Sequence, residues 1–274
     1  MFRIILFLLL VLPVNVFGYE CNQEIDKISK EYKIRISCNP EEIESFHVRG
    51  KKPSQSYLEQ FTPYLKNFVN SYNSSLLKRH LDKIIVVENL KRYGEDVGGV
   101  SDGRQIIICV SDFVDPSEAY TRILHHEFSS DIYKANEYSL ISKWKNVSAG
   151  RYDYSDSFLN QCLRNFDFAY LQNLQINNDG FVANYGKTND ENDFNTYAEV
   201  MFIRTYDIPR LKHFPKFREK LEIFKTFYRN AGYSGKFPDE TGQPIISRLL
   251  YTTTTPLVGV PAYMEENKCG IHIT

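Results

Sequence analysis

Hydrophobic positions along the chain follow two different spacings. Over residues 56–77, Leu58, Phe61, Leu65, Phe68 and Val69 recur at three- and four-residue steps, which predicts a helix with one apolar stripe facing a core. Over 84–87 and 105–110 the apolar residues run together and are mostly β-branched, which predicts two strands. Gly94, Gly98, Gly99 and Gly103 break the region between them. A glycine-bearing turn could belong to a phosphate loop, but the Gly-Lys-Ser/Thr ending and a helix directly behind a strand are both missing. Asp115-Pro116-Ser117-Glu118 then opens a helix, since proline and acidic side chains suit its first turn. That helix runs through Tyr120, Ile123, Leu124, Phe128 and Ile132.

Other segments are less strongly patterned. A short helix over 22–33 and a strand over 34–38 lead into a polar connection through Gly50, Lys51, Lys52 and Pro53. Further helices are predicted at 155–172, 193–206 and 214–230. From Thr241 onward Pro244, Pro256, Gly259, Pro261 and Gly270 predict loop and short strand wrapping the body.

Residues 1–18 read as a secretory signal: Arg3 supplies the positive start, 4–12 are apolar, and Val16-Phe17-Gly18 precede the cut. The apolar run is too short for a membrane anchor, which needs about 20 residues, so the expectation is export with no membrane span after cleavage. Residues 19–274 are expected to form one domain: a small N-terminal unit at 19–52, a main body at 53–235 and a loop-rich wrap at 236–274. The 33 Lys and Arg balance 34 Asp and Glu, interspersed, so no basic stripe points to nucleic acid. All five cysteines lie beyond the signal, where disulfides persist. Cys21 with Cys38 is the expected local pair; Cys109, in an apolar run, is expected to be buried rather than reactive.

The chemistry concentrates in His125-His126-Glu127-Phe128-Ser129-Ser130. Zinc peptidases carry His-Glu-x-x-His on a helix, with two histidines on one face and a glutamate base beside the first. Position 130 lies in line with His126, whereas His125 is turned about 100° away. His126, followed directly by Glu127, is therefore the candidate ligand, and His125 is left for a supporting hydrogen bond. Ser130 stands where the second histidine belongs, and a hydroxyl is a poor zinc ligand. Asp131 or a water is a conceivable substitute. Glu199, among Tyr197, Ala198, Val200, Met201 and Phe202, is costly to bury unless paired or bound to a cation. Either a metal or an ion pair, with Arg204 for instance, accounts for it. Tyr185 or Tyr197 could stabilise an oxyanion.

Three separated segments, the 124–130 stretch, Gly180-Phe181-Val182 with Tyr185-Gly186, and 192–199, resemble in order those of the bacterial zinc-binding metallopeptidases of gluzincin type. The resemblance covers about 84–206. It implies an α+β, zincin-like fold with a small twisted sheet packed against the active-site helix and further helices. It also implies zinc as cofactor, His126 and Glu199 as metal ligands and Glu127 as general base acting on a metal-activated water. The departure from the pattern is Ser130.

Three readings follow. The first is a secreted zinc-dependent peptidase-like protein acting on peptide or protein. The second is a catalytically inactive zincin-fold binding protein that has lost a metal ligand at Ser130. The third makes His125, His126 and Glu199 a buried hydrogen-bonded cluster with a structural role.

Overall fold

The computed structural model describes residues 21–45, 47–111, 116–148 and 178–240. The expected signal, the expected helix at 155–172 and the expected wrap from Thr241 lie outside the described residues. No helix of the described residues is long and apolar enough to cross a membrane.

The chain enters through α1 (Gln23–Tyr32), whose first turn is closed by Asn22 accepting from the Ile25 amide at 2.9 Å, a side-chain cap on an otherwise unpaired donor. After β1 (Arg35–Ser37) the Cys21–Cys38 disulfide, with Cα atoms 5.2 Å apart, ties the start of α1 to the end of that strand. β2 (Val48–Lys51) follows within what the sequence reads as polar connection.

α2 (Gln55–Asn70) buries Leu58, Phe61, Leu65, Phe68 and Val69, as the stripe predicts. The single expected helix over 56–77 is two, because Asn73 takes an extended conformation and restarts the chain as α3 (Ser74–His80), which turns Leu76 and Leu77 inward.

β3 (Lys83–Arg92), β4 (Glu95–Asp96), β5 (Gly99–Ser101) and β6 (Gln105–Cys109) complete a small mixed sheet. The first half of β3 runs parallel to β1 and β6, and its second half pairs antiparallel with β2 and β4. Asn89, at φ 53, lies in the second half, in a left-handed conformation that asparagine tolerates better than most residues. β5 adds antiparallel to β6 and ends the order β1-β3-β6-β5.

The continuous apolar runs at 84–87 and 106–109 reflect burial on both faces. Ile84, Val86, Ile106 and Ile108 enter the large helix-covered core. Ile85, Val87, Ile107 and Cys109 enter a second cluster with Val48, Leu90, Val97 and Val100. Cys109 is fully buried, as expected, and is also disulfide-bonded.

Against the large core lie α4 (Pro116–Lys134), α5 (Tyr138–Ser148), α6 (Asp190–Phe202), α7 (Ile208–Leu211) and α8 (Pro215–Ala231). α4 is the centre of this layer, with α2, α6 and the β5–β6 edge all packed around it.

Candidate functional site

Because α4 is covered from several sides, its lines of side chains meet different chemistry. Residues four apart share a line. Phe128 and His125 face the aromatic core: His125 Nδ1 lies 2.7 Å from the Tyr72 hydroxyl and its ring stacks on Phe202 at 5.0 Å. Burial drops the His125 pKa to about 3, so it sits there neutral, as a member of the core. Ile123, Glu127 and Asp131 face β5. Arg122, His126 and Ser130 face α6.

The seam between α4 and α6 is a ladder of polar rungs that runs antiparallel. At one end His126 Nδ1 lies 2.8 Å from Glu199 Oε1, and Arg122 Nε lies 3.2 Å from Glu199 Oε2. One turn along, the Asn195 amide is held between two hydroxyls: Ser129 Oγ donates to Oδ1 at 2.5 Å, and Nδ2 donates to Ser130 Oγ at 2.8 Å. At the far end Tyr133 donates to Asp190 at 2.5 Å and Lys134 pairs with Glu191 at 3.0 Å. Burial alone would raise the Glu199 pKa, but the Arg122 charge and the His126 hydrogen bond outweigh it and hold the carboxyl below its usual range. Glu199 is thus a carboxylate, largely enclosed at 12% exposure and paired on both oxygens.

Glu127 belongs to a different environment. Burial, with the like charges of Glu191 and Asp131, pushes its pKa well up, towards the protonated form. It lies under Gly99 of β5, where an added Cβ would come within 2.5 Å of Ile123 and 2.8 Å of Glu127; only glycine lets the strand approach the helix this closely. Asp131 is the next rung on the same line and accepts from Ser101 of β5 at 2.8 Å. It therefore turns towards the sheet, and the position beside His126 is taken by Ser130 with Asn195.

The 180–187 segment packs on α6 beside this site. Tyr185 packs its ring 5.7 Å from that of His126, and burial plus the nearby charges of Glu127 and Glu199 push its pKa well up. Gly186 lets this turn sit on α6, since a Cβ there would meet the Asp193 backbone at 3.1 Å. Asp193 pairs with Lys220 of α8, both wholly buried, and the Lys220 ammonium lies 4.4 Å from the Phe181 ring and 4.9 Å from that of Trp144. Tyr197 donates to the Gly180 carbonyl at 2.6 Å, which makes it a tether of this turn.

Of the residues singled out in the sequence, His126 and Glu199 are brought together, Glu127 and Tyr185 lie beside them, and His125, Asp131 and Tyr197 serve elsewhere. A structural zinc site has four protein ligands and a catalytic one three. Here His126 offers one nitrogen, Nε2, which has no hydrogen-bond partner, as is also true of Glu127 Oε1. Both oxygens of Glu199 are engaged, one of them by a cation, and Ser130 is held by Asn195. Among the described residues no group of three or more His, Cys, Asp or Glu is placed to hold a metal ion. The donor set as arranged does not fit zinc.

Two partners were not identified from sequence, Arg122 and Asn195. Each stands four residues before a candidate on the same helical line, Arg122 before His126 and Asn195 before Glu199, and that spacing was the available signal.

No protein-family model matches the sequence, and no curated protein matches it. Among solved structures the chain is similar to one described as a "putative zinc-binding metallo-peptidase" from Bacteroides caccae, with a TM-score of 0.50 and 16% identity over 76% of this chain and 85% of that one. At that identity the likeness is one of fold.

Proposed function

We propose that this chain is an exported, peptidase-like protein of zincin fold that binds polypeptide without metal-assisted hydrolysis. The observation that carries the reading is the double engagement of Glu199, with His126 on one oxygen and Arg122 on the other, beside a Ser130 committed to Asn195. The fold part draws on the likeness to a structure described as a zinc-binding metallo-peptidase. Export draws on the residue 1–18 leader and agrees with the Cys21–Cys38 disulfide. For polypeptide the natural place is β5, which pairs only with β6 among the described residues; an extended chain adds to such an edge through main-chain hydrogen bonds.

A second reading, a zinc-dependent peptidase with His126 and Glu199 as ligands and Glu127 as base, draws on the unpartnered His126 Nε2 and Glu127 Oε1. It requires Glu199 to leave both of its partners.

One experiment separates the two. The mature chain, prepared with and without chelator, is offered denatured casein and a randomised peptide library, and binding and new peptide termini are measured. The proposal expects saturable binding that chelator leaves unchanged, no new termini, and a Glu127→Gln variant that binds like the parent. Chelator-sensitive cleavage lost in Glu127→Gln overturns it in favour of the second reading. Absence of binding overturns the polypeptide assignment.

A further inference from the structure

We infer that Arg122 supplies from within the chain the positive charge that a metal ion would otherwise bring to His126 and Glu199, and that it thereby excludes divalent cations from this site. The inference rests on the metal-free reading above and explains how the fold tolerates it.

A carboxylate among Tyr197, Ala198, Val200 and Met201 needs a cation. Arg122 meets that need from one helical turn before His126: its Nε is 3.2 Å from Glu199 Oε2, a charge contact without hydrogen-bond geometry, and its side chain is 6% exposed. It is part of the chain and is held there by the packing of α4 against α6, so chelator does not remove it. The remaining Glu199 oxygen orients His126 through Nδ1, the arrangement in which a carboxylate fixes an imidazole ring from behind. A dication entering on the Nε2 side would meet an imidazole whose carboxylate partner is already neutralised by this guanidinium. Loss of the second histidine is therefore only half of the change; a built-in cation is the other half.

Restoring the histidine alone should not restore metal. Ser130→His with Asn195→Ala, which makes room for the ring, is compared with the same pair carrying Arg122→Gln, and with a charge-retaining control carrying Arg122→Lys. Zinc per chain is measured by elemental analysis after loading and dialysis. The expected result is one zinc per chain in the Arg122→Gln variant, and at least a tenfold lower content in the two that keep the cation. Equal zinc in all three overturns the inference, as does its absence from all three when folded.

Should the variants fail to fold, a double-mutant cycle on the otherwise unchanged chain, in chelator, decides the matter. Arg122→Met and Glu199→Gln are each expected to destabilise, and their combination to be more stable than the sum of the two losses. Additive losses overturn the inference. Hydrolysis by the unmodified chain would overturn the function proposed above, whereas zinc uptake by the arginine-bearing variants would overturn this inference alone.

Discussion

Replacing Asp131 by asparagine should stabilise the protein at neutral pH and leave it nearly unchanged in acid. Burial lifts the Asp131 carboxyl from its ordinary 3.8 to about 6, even though the Ser101 hydroxyl donates to it. The folded chain therefore holds this proton more tightly than the unfolded chain does. Between about pH 4 and pH 6 the native state binds more protons than the unfolded state, so stability falls as pH rises through that window and the loss is complete above it. Two decades of proton affinity correspond to about 3 kcal/mol. Asparagine carries no charge to desolvate and keeps an oxygen for Ser101, so the expected gain at about pH 8 is roughly 1–3 kcal/mol. For a chain of this size that raises the melting temperature by about 3–10 °C. Guanidinium chloride unfolding of both proteins at about pH 4 and pH 8 measures it, the curves coinciding in acid and separating in base. Destabilisation at about pH 8 that fades at about pH 4 would refute the reasoning, because Asp131 would then contribute through its charge to some partner.

Three further outcomes are expected. Gly99→Ala should cost about 1–3 kcal/mol by pushing β5 off α4, read as a lower unfolding midpoint and faster amide exchange in Gly99–Ser101. Lys220→Met should cost about 3–5 kcal/mol because it removes the cation paired with the buried Asp193 carboxylate, and adding Asp193→Asn should recover much of that loss in the same unfolding assay. Opening the Cys21–Cys38 bridge by paired serine substitution should cost about 3 kcal/mol, from the freedom returned to a loop with a sequence separation of 17.

Much of the frame is legible in the sequence where burial is one-sided or complete. The α2 stripe and the Ile84 and Ile106 runs leave no other way to hide their side chains. The positions of Cys21 and Cys38, flanking α1 and β1, likewise anticipate their bond. β2, β4 and β5 are not legible, because short strands rich in Gly, Arg and Glu carry little hydrophobic alternation and owe their form to pairing with β3 and β6. The break between α2 and α3 escapes the pattern because Tyr72, Leu76 and Leu77 keep helical spacing across it.

At the site, local spacing suffices to place His126 and Glu199 as candidates for one centre, but their partners are a matter of tertiary register. Arg204, close in sequence to Glu199, pairs with Asp207 at 3.2 Å and reaches Glu199 only as a weaker charge, while Arg122 arrives from a different helix. The antiparallel alignment of α4 and α6 also decides that Ser130 meets Asn195. A helical wheel drawn on either segment alone contains neither fact.

Elemental zinc analysis of the purified mature chain, loaded with zinc and dialysed, tests the central claim most directly. With Arg122 seated on Glu199, the chain should retain far less than one zinc and melt at the same temperature with or without the metal. One tightly held zinc per chain, accompanied by a rise in melting temperature that chelator reverses, would contradict it.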